Sequence, residues 1–126
     1  MRTIIAGSRM CEDYSLVKAS IEELEWPITE IVSGMARGVD KLGVRWANET
    51  NTPLKKYPAE WDKFGKSAGY RRNVEMSKNA DALLAIWDGA SKGTKHMINI
   101  ATEAGLKIKV VQYKRTGYPF DKRIEK

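Results

Sequence analysis

Apolar residues follow two alternating rhythms along this chain. Short continuous runs, Thr3-Ile4-Ile5, Glu30-Ile31-Val32 and Leu83-Leu84-Ala85-Ile86, have the length and make-up of strands buried on both faces. Between them, apolar positions return at three- and four-residue intervals. Val17, Ile21 and Leu24 form one such stripe, and Val39, Leu42, Gly43, Trp46 and Ala47 another, as in helices with one inward face. The pattern predicts strands at 2–6, 30–33, 54–57, 81–86 and 107–112. It predicts helices at 13–25, 40–50, 69–79 and 94–104. Asp13 stands where the first helix needs an N-cap, Trp26-Pro27 ends that helix, and Asn51-Thr52-Pro53 breaks the second helix from the third strand.

Strict alternation of strand and helix implies βαβ units with right-handed crossovers, and therefore a parallel sheet covered on both sides. The expected fold is a single Rossmann-like α/β domain over residues 1–113, with five parallel strands in the order 3-2-1-4-5 and helices on both faces. Residues 114–126, with Gly117 and Pro119, read as a basic extension. The stretch 58–68 is long for a connection, and Trp61 and Phe64 within it argue against disorder. It is expected to fold over the ligand edge as a wall or lid.

With 126 residues, the chain is long enough for one real core without a disulfide or metal. A lone cysteine, Cys11, fits a reducing cytosol, and no apolar run approaches the roughly 20 residues of a membrane span. Met1 leads straight into the first strand, so no signal peptide is expected and the location is read as cytoplasmic. Cys11 and the single histidine, His96, make no zinc constellation; neither metal nor cofactor is expected. The net charge of +6 changes the picture more. Basic residues gather in the tail from Lys107 and between Lys63 and Lys78, which suits an anionic partner, either a nucleotide or a nucleic acid.

Candidate chemistry sits just after the strands, at the edge of an open parallel sheet where ligands bind. Gly7-Ser8-Arg9 follows the first strand and offers close backbone approach, a hydroxyl and a guanidinium. Ser33, Gly34, Arg37 and Asp40 belong to the glycine-rich Ser33–Asp40 loop after the second; Asp40 either braces that region or holds a ribose hydroxyl. Arg72 opens the third helix, where the dipole already favours anions, and shares a face with Glu75, Met76 and Asn79. Ser91, Gly93 and Thr94 lead into the last helix, whose free N–H groups suit phosphate; the order is not that of a Walker A loop. Trp61 or Trp87 is placed to face a base or ribose, and Glu60, Asp62, Glu75 and Asp88 are the acidic residues nearest the site.

These residues together resemble the SLOG superfamily, the Rossmann-like group that includes the LOG phosphoribohydrolases and the DNA-processing protein DprA. The branch most similar is the small YspA/YpsA-related one, often encoded by phages and bacteria. The resemblance runs from Gly7-Ser8-Arg9 through Ser33–Asp40 and Pro58-Ala59-Glu60-Trp61 to Ala80-Asp81-Ala82 and Gly93-Thr94. LOG enzymes cleave the N-glycosidic bond of nucleoside monophosphates with an Arg-Lys-x-x-Met helix and a Pro-Gly-Gly-x-Gly-Thr-x-x-Glu loop. Here Arg72 and Met76 are kept, Asn73 replaces the lysine, and Met97 stands where the catalytic glutamate is expected. The resemblance therefore implies a nucleotide or ADP-ribose-like ligand bound by a sensor or sequestering module, and the missing glutamate weighs against an enzyme. If it is a nucleotide N-glycosidase, the catalytic candidates are Arg72, Glu75 and Glu60. DprA-like relatives imply single-stranded DNA binding as the other alternative. LOG-type relatives pair through helices, and Trp46, Met76 and Met97 are expected to supply an apolar surplus for a homodimer.

Overall fold

A computed structural model describes residues 1–114; apart from Lys114, the basic extension expected at 114–126 lies outside them. The strands are β1 (Arg2–Gly7), β2 (Glu30–Ser33), β3 (Leu54–Lys56), β4 (Ala82–Trp87) and β5 (Lys107–Gln112). The helices are α1 (Tyr14–Glu22), α2 (Val39–Thr50), α3 (Trp61–Phe64), α4 (Ala68–Lys78) and α5 (Lys92–Glu103). All strand pairs are parallel, in the order β3-β2-β1-β4-β5. That is the expected topology. Central β1 pairs Arg2–Ile4 with Glu30–Val32 on one side and Thr3–Gly7 with Ala82–Ile86 on the other.

Two apolar layers follow from the two-residue period of the strands. Ile5, Ile31, Leu84 and Ile86 meet Val17 and Ile21 of α1 and Val39 and Ala47 of α2. On the opposite face Ile4, Val32, Leu83 and Ala85 meet Met76 of α4 and Met97 and Ala101 of α5. Met76 and Met97 are each only 1% exposed, which corrects their assignment as surface surplus for dimerisation. Their long, flexible side chains fill the gap between helix and sheet. Trp46 is half-buried against the other layer.

Local chemistry sets the element ends. Asp13 accepts a hydrogen bond from the Leu16 N–H at 3.1 Å and caps α1. The helix stops at Glu22, earlier than expected, and Trp26 turns inward, donating from Nε1 to Thr3 Oγ1 at 3.0 Å. Asn51 ends α2 in the left-handed region, with φ 56°. Segment 58–68 is not a simple loop: α3 and a single 3₁₀ turn, Gly65–Ser67, run directly into α4. No helix among the described residues is long and apolar enough to cross a membrane.

Candidate ligand-binding site

Because the strands are parallel, the loops that follow β1, β2 and β4 emerge on one edge, where they meet the starts of α2, α4 and α5. A cleft of about 230 Å³ opens there, adjoined by a lobe of about 170 Å³. The two share Arg9, Ala36, Trp61 and Arg72. Together they reach the lower part of the size range of small-ligand sites, roughly 300–1,000 Å³.

The floor of the cleft depends on close backbone approach. A Cβ on Gly7 would drive into the Ile86 carbonyl and stand 2.9 Å from Val39 Cγ2. Gly38 has φ +80°, and a Cβ there would strike the backbone of Ser8 and Arg9. Glycine at both positions lets the first two loops pack against each other; Val39 N–H donates to the Ser8 carbonyl at 3.2 Å.

Several polar groups expected to meet ligand are spent holding these loops. Buried Ser8 accepts from the Met10 N–H at 3.2 Å, and its hydroxyl stands 3.5 Å from Asp88 Oδ2. Ser33 accepts from the Met35 N–H at 3.1 Å, steadying Met35 in the left-handed region at φ 62°. Asp40 lies in the first turn of α2 but does not cap it; its Oδ2 accepts from the Ala36 N–H at 3.2 Å and braces the loop. Burial pushes the Asp40 pKa up to about 6, opposed by the Arg72 charge, by the Ala36 and Gly7 N–H groups and by Arg9.

Arg72 crosses the site. Its Nη1 donates to the Gly34 carbonyl, and its Nε donates to Asn73 Oδ1 at 3.1 Å. Asn73 Nδ2 lies 3.0 Å from His96 Nδ1 and 3.4 Å from the Gly93 carbonyl. One hydrogen-bonded series thus runs from the loop after β2, through α4, to the first turn of α5. Burial draws the Arg72 pKa down while Asp40 opposes it. Burial likewise lowers that of His96, whose ring packs on Tyr70 with centroids 4.4 Å apart. At the start of α5, Ser91 accepts from the Thr94 N–H at 3.4 Å as N-cap. The loop before it is held by Asp88, which accepts from Ala90 and Ser91 N–H at 2.8 Å each. Trp87 completes this bracing by donating to the Ser91 carbonyl at 3.0 Å.

Of the residues singled out from sequence, Gly7, Arg9, Asp40 and Trp61 line the main cleft. So do Arg72, Ser91, Gly93 and Thr94. Gly34 lines the adjoining lobe. Glu60 and Glu75 face a third cavity, beyond Arg72. Ser8, Ser33, Arg37 and Trp87 line none of the three. Sequence reasoning passed over Lys66, Gly69, Tyr70 and Asn73, which do line the cleft. A signal existed for two of them: Gly69, Arg72, Asn73 and Met76 follow the i, i+3, i+4, i+7 pattern of one helix face.

The cations Arg9, Lys66 and Arg72 confront a single carboxylate, Asp40, in the main cleft. Met97 lines the same wall. No group of three or more His, Cys, Asp or Glu suited to a metal ion occurs among the described residues. The arrangement can attract and orient an anion.

Three comparisons with known proteins bear on this edge. A model of the YAcAr family, described as the YspA, cpYpsA-related SLOG family, matches residues 1–64. The gene 61 protein of Mycobacterium phage D29 is 36% identical over 116 residues, covering 85% of this chain and 93% of that protein. The X-ray structure of DNA processing protein A (DprA) from Streptococcus pneumoniae matches with a TM-score of 0.74 at 18% identity. That match covers 92% of this chain and 52% of the other, so this chain spans about half of that one, and the likeness is one of fold.

Proposed function

The chain belongs to the YspA, cpYpsA-related SLOG family, and from that premise we propose that it binds a phosphorylated nucleotide or ADP-ribose-like ligand, as a sensor or sequestering module. The observation that carries this reading is the convergence of Arg9, Arg72 and the start of α5 on one cleft. Cationic side chains and helix N–H groups are the donors that phosphate oxygens require. Exposed Trp61 and Tyr70, each 49% accessible at the lip, offer ring faces to a base or sugar.

Turnover finds less support. Hydrolysis of an N-glycosidic bond needs a carboxylate to steady positive charge on the sugar or activate water. Met97 occupies the wall where the resemblance expects one, Asp40 is engaged by backbone N–H groups, and Glu60 and Glu75 lie past Arg72. Those two exposed lip aromatics also favour a second reading, single-stranded DNA binding, through stacking on a basic edge.

The test is a thermal-shift panel of nucleoside mono-, di- and triphosphates, ADP-ribose and a short DNA oligonucleotide. A ligand at a hundredfold excess over its dissociation constant adds about 2.7 kcal/mol of stability, which raises Tm by several degrees. A selective rise with a small phosphorylated ligand supports the reading. A rise with DNA alone, falling steeply with salt, replaces it with the second; free base released from a nucleotide replaces it with the glycosidase.

A further inference from the structure

The third cavity is larger than the main cleft, at about 480 Å³. It lies between the end of β3 and the far side of α4, and Arg72 lines it as well as the main cleft and the adjoining lobe. Pro58 continues the wall from that lobe into it. Arg72 therefore stands between the main cleft and the third cavity and lines both.

The cavities on the two sides of Arg72 differ in chemistry. In the main cleft three cations face one carboxylate whose charge burial opposes. In the third cavity Lys56, Arg71 and Arg72 are matched by Glu60 and Glu75, beside the rings of Tyr57 and Phe64. Arg71 is held in place there, its guanidinium 4.3 Å over the Phe64 ring and its Nε donating to Ser67 Oγ at 3.0 Å. A nearly balanced site with two acceptor carboxylates is poor at holding a second phosphate. It suits a polar moiety rich in hydroxyl or amine donors, such as a sugar or a base.

We infer that the ligand is a two-part molecule, with a phosphate group at Arg9 and Arg72 and a second sugar- or base-bearing moiety in the cavity lined by Glu60 and Glu75. This rests on the nucleotide reading proposed above and narrows it: a mononucleotide occupies only the main cleft, whereas a phosphate-bridged ligand passes Arg72 to reach both cavities. The geometry assigns Glu60 and Glu75 to specificity, since they contact the distal moiety and not the phosphate.

Calorimetric titration with AMP and with ADP-ribose tests it, on the full chain and on the Glu60→Ala/Glu75→Ala variant. Both side chains are exposed, so the variant keeps the core, and a thermal melt verifies that. The expected result is ADP-ribose binding at least tenfold tighter than AMP, with the advantage lost in the variant and AMP affinity unchanged within twofold. AMP and ADP-ribose binding equally to the unaltered chain would overturn the two-part ligand while leaving the nucleotide reading intact. An equal loss for both probes in the variant would overturn the assignment of the two carboxylates. Binding of neither probe would overturn the nucleotide reading and this inference with it.

Discussion

Replacing Asp40 by asparagine removes a buried carboxyl whose pKa burial has raised from 3.8 to about 6, and the effect on stability has a calculable sign. Between about pH 4 and 6 the folded chain holds this proton while the unfolded chain has released it. The folded state binds more protons, so stability from this group falls as pH rises through that window and levels off above it. At about 1.4 kcal/mol per unit, the ionised form costs the fold about 3 kcal/mol at pH 7. The asparagine side chain cannot ionise. It keeps a carbonyl to accept from the Ala36 or Gly7 N–H, and its own amide N–H groups impose an offset of about 1–2 kcal/mol that does not vary with pH.

The diagnostic is therefore the difference between the two proteins, in which the other titrating groups cancel. His96, its pKa lowered by burial, costs stability as pH falls below its ordinary range. Asp81, drawn to about 2 chiefly by the Arg2 side chain, loses its contribution only as pH falls from about 4 towards 2. Urea unfolding of both proteins at pH 4, 5, 6 and 7, at fixed ionic strength, reads the difference directly. Asp40→Asn should gain about 2–3 kcal/mol relative to the unaltered chain from pH 4 to 7, because part of the cost is already present at the lower end. A difference flat to about 0.5 kcal/mol would refute the argument. A reversed slope would show that Arg72 and Arg9 outweigh burial.

Other substitutions separate site from scaffold. Gly34→Ala places a Cβ 2.6 Å from Arg72 Nη1, and because that neighbour is a flexible side chain, urea unfolding should change by only about 1 kcal/mol. The displaced guanidinium should nonetheless cost AMP binding about tenfold or more by calorimetry, as expected for a lost charge-assisted hydrogen bond. Gly38→Ala, at φ +80° and against fixed backbone, should lose at least the roughly 1–3 kcal/mol of backbone strain in the same unfolding assay. Ser91→Ala should lose about 1 kcal/mol with its N-cap, and Met97→Ala about 2–5 kcal/mol through a core cavity, both read from denaturation midpoints.

The strands and long helices were legible because consecutive apolar runs and interrupted stripes differ in period over many residues, and their alternation made the sheet parallel. The stretch 61–67 was not, since α3 has four residues, too few to show a helical period. At the site, Arg72 could be found from its place at a helix start, and the Gly69–Met76 face was available from spacing alone. Arg72 belongs to two stripes of α4, lining the main cleft with Asn73 and Met76 and the third cavity with Glu75; the sequence reading followed the Glu75 stripe and left out Gly69 and Asn73. Hydroxyls were harder. Ser8, Ser33 and Ser91 read alike in sequence, yet the first two hold loops away from the cavities and the third lines the cleft. Which way a short polar side chain turns is decided by loops that meet only after the sheet has formed.

The central pairing also governs how this chain is made. Thr3 joins Ala82 and Gly7 joins Ile86, almost eighty residues further on. A nascent chain that has emerged through residue 64, the stretch matched by the family model, holds β1 to β3 and only α1 and α2 of the long helices. Ile4 and Val32 then have neither Met76 nor Met97 to cover them. At about 5–20 residues per second, β1 waits several seconds on the ribosome before β4 can zip beside it. Until then its hydrogen-bonding edge is open and its Ile4 face uncovered, and this is the interval in which a holding chaperone would matter most.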